Sequence, residues 1–121
     1  MQEFKFDYDK ENDDLFLYST KTKTTASVEI GDVVLDFDKN KGLSGIEIMN
    51  ATKFLNSLIS DDRILIDKDT LANLIACRVA SKVQNNFLFI KLLLLIKHKQ
   101  KIPVNLSVPR ISKSSPALSS S

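Results

Sequence analysis

Cysteine and histidine are nearly missing from this chain: Cys77 and His98 stand alone. With one cysteine no disulfide closes within the chain, and a reducing compartment is compatible with the sequence. A zinc site of the usual Cys/His kind lacks ligands. A Cys77–His98 nucleophile–base pair would need these two lone residues to meet in space. Long apolar runs are missing too. The longest, Phe87 to Ile96, is ten residues and contains Lys91, too short to span a bilayer as a helix. The amino terminus Met-Gln-Glu-Phe-Lys-Phe-Asp has no apolar core and does not read as a signal peptide. A cytoplasmic protein without a membrane partner is expected. Neither a Gly-rich phosphate loop nor a cofactor fingerprint is visible, so no cofactor is expected.

What is present is an ordinary globular balance. The 121 residues, 43% hydrophobic and 26% charged, suit one domain or two small layers sharing a core. The net charge of +2 hides an uneven distribution. Residues 1–62 carry thirteen acidic and seven basic side chains, a net of −6; residues 63–121 carry two and ten, a net of +8. Such asymmetry marks either two partner surfaces or two halves that neutralise each other within one fold.

Alternation dominates the pattern. Phe4, Phe6 and Tyr8 alternate with charged residues, and Leu15-Phe16-Leu17-Tyr18 resumes after the polar turn 9–14. Ala26, Val28 and Ile30 precede the Gly31-Asp32 turn; Val33, Leu35 and Phe37 follow it, and then Ile46 and Ile48. Close turn signals between short strands predict an antiparallel meander. One short helix follows. Asn50 is its expected N-cap, with Met49 and Phe54 as a hydrophobic staple, and Ala51, Phe54, Leu55, Leu58 and Ile59 share a face. Asp67 or Asp69 is expected to cap a further helical turn.

Period two then returns. Ile75, Cys77, Val79 and Val83 are expected on one face, Arg78 and Lys82 on the other, with a turn at Gln84-Asn85-Asn86. Leucine-rich Phe87–Lys97 has helical propensity, but its short length, the preceding turn and its alternating neighbours predict a strand. Ile102, Val104, Leu106 and Val108 form a last strand, at an edge because Pro103 cannot donate to a ladder. The expected fold is therefore α+β: a β-meander with one packed helix over residues 1–60, then a three-stranded antiparallel meander over 61–111. A disordered Ser-rich tail is expected at 112–121.

Two acidic stretches invite a chemical reading. Asp36, Asp38, Asn40 and Glu47 fall at the first, third, fifth and twelfth positions of a calcium loop. That loop needs glycine at its sixth position, where Lys41 stands, and helices on both sides. The flanks here alternate with period two, so the segment is read as a strand-to-strand turn. Gly42 is its expected left-handed residue, and Gly45 relieves entry to the next strand. The cluster Asp7, Asp9, Glu11, Asp13 and Asp14 has no nearby histidine to complete an acid–base or metal site and reads as a solvated turn.

Tyr8-Asp9, Asp14-Leu15, Glu29-Ile30, Val34-Leu35-Asp36-Phe37-Asp38, and Gly45-Ile46-Glu47-Ile48 leading into Asn50-Ala51-Thr52 together resemble a small prokaryotic family, domain of unknown function 2283. The resemblance covers about residues 4–56. It brings no catalytic residues. It implies a small protein of which some relatives are predicted antitoxins, encoded beside small basic toxins.

Three surfaces are candidates for binding. Phe87, Phe89, Leu93 and Leu95 make the second face of an apolar strand, which either packs on the N-terminal sheet or forms a homodimer interface. Asp9, Glu11, Asp13, Asp14, Asp36 and Asp38 make an acidic surface for a small basic protein. Arg78, Lys82, Lys91, Lys97, Lys99, Lys101 and Arg110 make a basic patch that either guards the edge strand or contacts phosphates. The expected function is a non-enzymatic, antitoxin-like protein-interaction module that self-associates. The alternative is a nucleic-acid-binding protein, although interleaved exposed aromatics are not evident in the sequence.

Overall fold

The structure, a computed structural model, describes residues 1–109, apart from the Lys99 side chain. Arg110 and the expected tail lie outside the described residues. Eight antiparallel strands form one sheet: β1 (Gln2–Asp9), β2 (Asp14–Tyr18), β3 (Ala26–Ile30), β4 (Val33–Phe37), β5 (Leu43–Ile48), β6 (Leu74–Gln84), β7 (Phe87–Ile96) and β8 (Gln100–Pro109). Helices α1 (Ala51–Leu58) and α2 (Lys68–Ala72) lie between β5 and β6. The strand order is β3-β4-β5-β2-β1-β6-β7-β8. The α+β class stands; beside the one packed helix, the further helical turn expected after Asp67 or Asp69 is the short helix α2.

The N-terminal strands are not a simple meander. The β1–β2 hairpin joins the β3–β4–β5 meander through β2 and β5, where Leu15 faces Ile48 and Leu17 faces Ile46. The β2–β3 connection therefore crosses to the far side of two strands. Polar fasteners hold it there. The Ser19 amide donates to the Ser44 carbonyl (2.9 Å), and the Thr24 and Ser44 hydroxyls bond at 2.8 Å. Ser19 and Ser44 are buried; Thr24 satisfies the Ser44 hydroxyl, and the Ser19 hydroxyl accepts from Gln2 Nε2 (3.2 Å) and the Lys21 amide (3.1 Å), which offsets the cost of removing hydroxyls from water.

Strand β7 is extended, as the alternation predicts. Leu88, Ile90, Leu92, Leu94 and Ile96 face inward and meet Ile102, Val104 and Leu106 of β8 in the core. Leu15, Leu17, Leu35, Ile46 and Ile48 extend the same core into the first five strands. Helix α1 buries Ala51 and Leu55 on this inner face and also touches β8, so the sheet curls as a half-barrel around it. Asn56 fastens the loop after α1, accepting from the Ile66 amide (2.9 Å) and donating to its carbonyl (2.7 Å).

Several local expectations change. Asn50 sits in the left-handed region (φ 50) and makes no side-chain cap. Asp13, from the β1–β2 turn, caps α1 instead. Its carboxylate accepts from the Thr52 amide and hydroxyl, and its carbonyl accepts from the Ala51 amide. Asp67 does cap α2, in a reciprocal capping box with Thr70. The left-handed residue of the β4–β5 turn is Lys41 (φ 65), not Gly42, because the Asp38 carboxylate draws in the Asn40 and Gly42 amides. Ile75 occupies a bulge in β6 and is 56% exposed, so it leaves the face it was expected to share with Cys77. Val83 is also exposed, at the hairpin tip beyond the core. That hairpin closes tightly because Asn85 and Asn86 both adopt positive φ (53 and 66).

Candidate functional site

The outer face of the sheet is uncovered by either helix, and its two halves differ in charge. Strand register shows which residues share it. In the first half Asp9 faces Asp14, Asp7 faces Phe16, Phe16 faces Glu47, Glu47 faces Val34, and Asp36 faces Gly45 and Ser27. Asp7 and Glu47 thus flank Phe16 on either side, Asp9, Asp14 and Asp36 lie nearby on the same face, and Lys5 stands opposite Tyr18, whose ring stacks on Phe16 at 5.1 Å.

Gly45 makes room for this arrangement. A Cβ there would come within 2.7 Å of the Asp36 carboxylate, which lies over the glycine and accepts from Ser27 at 2.6 Å. Asp14 Oδ1 is buried with no donor among the described residues. The Glu47 carboxyl beside it holds its proton above the usual carboxylate range. The hydrogen bond to Asp14 is the main cause, followed by burial and the charges of Asp14 and Asp36. Asp7, Phe16, Tyr18 and Glu47 were absent from the expected acidic surface, although each alternates with an inward apolar residue.

Other expected acidic residues have different employment. Asp13 accepts from the Tyr8 hydroxyl at 2.7 Å as well as from Thr52. Burial raises its pKa, but the Thr52 and Tyr8 hydrogen bonds and the Lys68 charge outweigh burial, and the net shift is downward. The Tyr8 hydroxyl moves the other way, held above its usual range by burial and by the Asp13 bond and charge. Asp9 orders its own turn by accepting from Asn12. Asp38 does the same in the β4–β5 turn, and Glu11 is exposed at the tip of the β1–β2 turn.

In the second half the register places Lys82 opposite Phe89, Arg78 opposite Leu93, Gln84 opposite Phe87 and Lys101 opposite Leu95. Phe87 and Phe89 are 44% and 40% exposed, with ring centroids 6.2 Å apart. Leu93 and Leu95 are half-buried. Lys91 lies between the two pairs and faces Ala80 and Asn105. Lys97 is exposed in the turn after β7 rather than on the face.

Where the halves meet, β1 pairs with β6 only through Gln2–Phe4. Beyond Phe4 the strands part, leaving an open cleft of about 520 Å³ lined by Lys5, Phe6, Thr20, Lys21 and Ile75. Cys77 lies inside this junction. Burial pushes its thiol up to about 12, and Sγ donates to the Phe4 carbonyl (3.7 Å). A thiol so held is protonated at neutral pH and a poor nucleophile. No helix among the described residues is long and apolar enough to cross a membrane.

Comparison with known proteins places these features in a family. Residues 5–51, essentially β1 through the start of α1, match the family described as protein of unknown function (DUF2283). An uncharacterized protein of Methanocaldococcus jannaschii is 35% identical over 100 residues, covering 81% of this chain and 78% of that protein. A Methanosarcina mazei protein named putative hypoxanthine phosphoribosyltransferase is 34% identical over 59 residues, covering 49% of this chain and 48% of that protein. No solved structure matches the chain significantly.

Proposed function

The chain belongs to the DUF2283 family, and we propose that it is a non-enzymatic cytoplasmic interaction module whose acidic outer face receives a small basic protein. The carrying observation is the cluster of Asp7, Asp9, Asp14, Asp36 and Glu47 on the face of the stacked Phe16–Tyr18 pair, with Lys5 beside Tyr18 as its one cation in the register. Aromatic anchors supply most of the energy in protein interfaces, and surrounding charge steers the encounter. An antitoxin-like role, neutralising a basic toxin, is one form of this reading.

The reading is tested with a photo-crosslinking residue at position 16 in native extract. A basic protein should be captured, and Asp7→Lys with Asp36→Lys or high salt should abolish capture. Capture of neutral proteins, or capture indifferent to charge reversal, would count against it. The name of the Methanosarcina mazei protein supplies a second check. The chain should form no nucleotide from hypoxanthine and a phosphoribosyl donor, and turnover there would replace this reading with an enzymatic one.

A further inference from the structure

The β6–β8 half carries chemistry that a basic protein partner does not use. From Thr70 to Ser121 the sequence contains no acidic residue. The ion pairs found among the described residues, Lys10–Asp69 and Arg63–Asp61, leave this face untouched, and Glu3 of β1 lies across from Arg78 at its border. Arg78, Lys82, Lys91 and Lys101 are all exposed on it. The cations interleave with rings: Lys82 lies directly across from Phe89, and Lys91 is the next outward residue along β7. A pleated strand turns every second side chain to the same face, so Phe87 and Phe89 stand as consecutive platforms along one line.

We propose that this face binds single-stranded RNA. Phe87 and Phe89 would stack bases, while Lys82 and Lys91 beside them hold the phosphates. Ring faces accept any base, and cations contact the backbone, so recognition would be tolerant of sequence. The choice of RNA rests on Ser107, opposite Phe89, and Asn105, opposite Lys91. These place a hydroxyl beside the Phe89 ring and an amide beside Lys91, where a ribose 2′-hydroxyl can bond.

A second copy of the chain is the competing occupant, through Phe87, Phe89, Leu93 and Leu95. A two-fold contact brings the same patch together from both subunits. Here it would set the cations of the patch, Arg78, Lys82 and Lys91, against the cations of the other copy, and like charge across an interface is penalised. A polyanion meets no such penalty.

The test is fluorescence anisotropy of the full chain with labelled oligouridylate at low salt, with oligothymidylate and duplex RNA as comparators. Oligouridylate should bind most tightly. Phe87→Ala and Phe89→Ala should each weaken it by about tenfold. Phe89→Tyr should retain binding, whereas Phe89→Leu, which keeps apolar bulk without a ring face, should not. Lys82→Gln should lower the slope of log affinity against log salt by about 0.7. Lack of binding at low salt would overturn the proposal, as would Phe89→Leu binding like the parent. DNA bound as tightly as RNA would overturn the choice of RNA. A chain that is dimeric by light scattering and made monomeric by Phe89→Ala would assign the face to self-association instead.

Discussion

The two halves of the sheet reach the same pleated architecture by different means. Strands β6, β7 and β8 are 11, 10 and 10 residues long and pair along nearly their whole length through short turns. Strands β2 to β5 are five or six residues each. They depend on fasteners between distant segments: Asp13 to α1, Ser44 to the β2–β3 crossover, and Asp36 over Gly45. The long half coheres because every second residue pair along β7 and β8 brings further inward apolar side chains. The short half has less such area per strand and is positioned by specific polar contacts.

That contrast can be broken from either side. Leu92→Ala, in the middle of β7 and fully enclosed, is expected to cost about 3–4 kcal/mol in urea denaturation, since the surrounding sheet cannot collapse onto the cavity. A loss below about 1 kcal/mol would mean the long half is loosely packed. Asp13→Ala should cost about 2 kcal/mol, because it removes the α1 cap and strands the half-buried Tyr8 hydroxyl. Its effect should exceed that of Asp67→Ala, which removes a cap alone.

Gly45→Ala should cost about 1–2 kcal/mol by driving a methyl group into the Asp36 carboxylate. The loss should shrink in an Asp36→Ala background, so a double-mutant cycle should return a clear coupling. Additive single losses would place the cost in the backbone rather than in that contact.

The smallest expected effect is a pH dependence of opposite sign at the two carboxyls. The Glu47 pKa is raised in the fold, so its contribution is complete below the unfolded carboxyl range and is lost as pH rises through the folded value. Asp13 is lowered, so its contribution is present above the unfolded range and is lost as pH falls through the folded value. Glu47→Gln should therefore remove a loss of stability on the upward side of a pH series of melting temperatures. Asp13→Asn should remove one on the acid side. Parallel curves for Glu47→Gln and the parent would show that the Asp14–Glu47 proton is not shared.

Much of the architecture was legible because alternation is local. Phe4, Leu15, Leu17, Leu35, Ile46 and the whole inner row of β7 lie on the face their spacing predicts. Pro103 does stand on an edge strand, and Asp67 caps the helix expected after it. The errors fall where one segment depends on another far away in sequence. Asn50 has the right chemistry for a cap, but Asp13 already fills the position from 39 residues away. Ile75 obeys the alternation until a bulge shifts its register. On the candidate surfaces, Phe16, Tyr18, Asp7 and Glu47 are each legible as outward residues. Their gathering into one patch is not, because it requires β2 to lie beside β5.

The sequence by itself determined the period-two sorting of side chains, the turns between strands and the separation of negative from positive halves. Each of these depends only on neighbours a few residues apart. Tertiary structure alone decided that β2 pairs with β5, that Asp13 holds α1, and that Phe87 and Phe89 remain in water beside Lys82 and Lys91. The physical reason is that strand partners are chosen among distant segments competing for the same core, and no local pattern records which of them prevails.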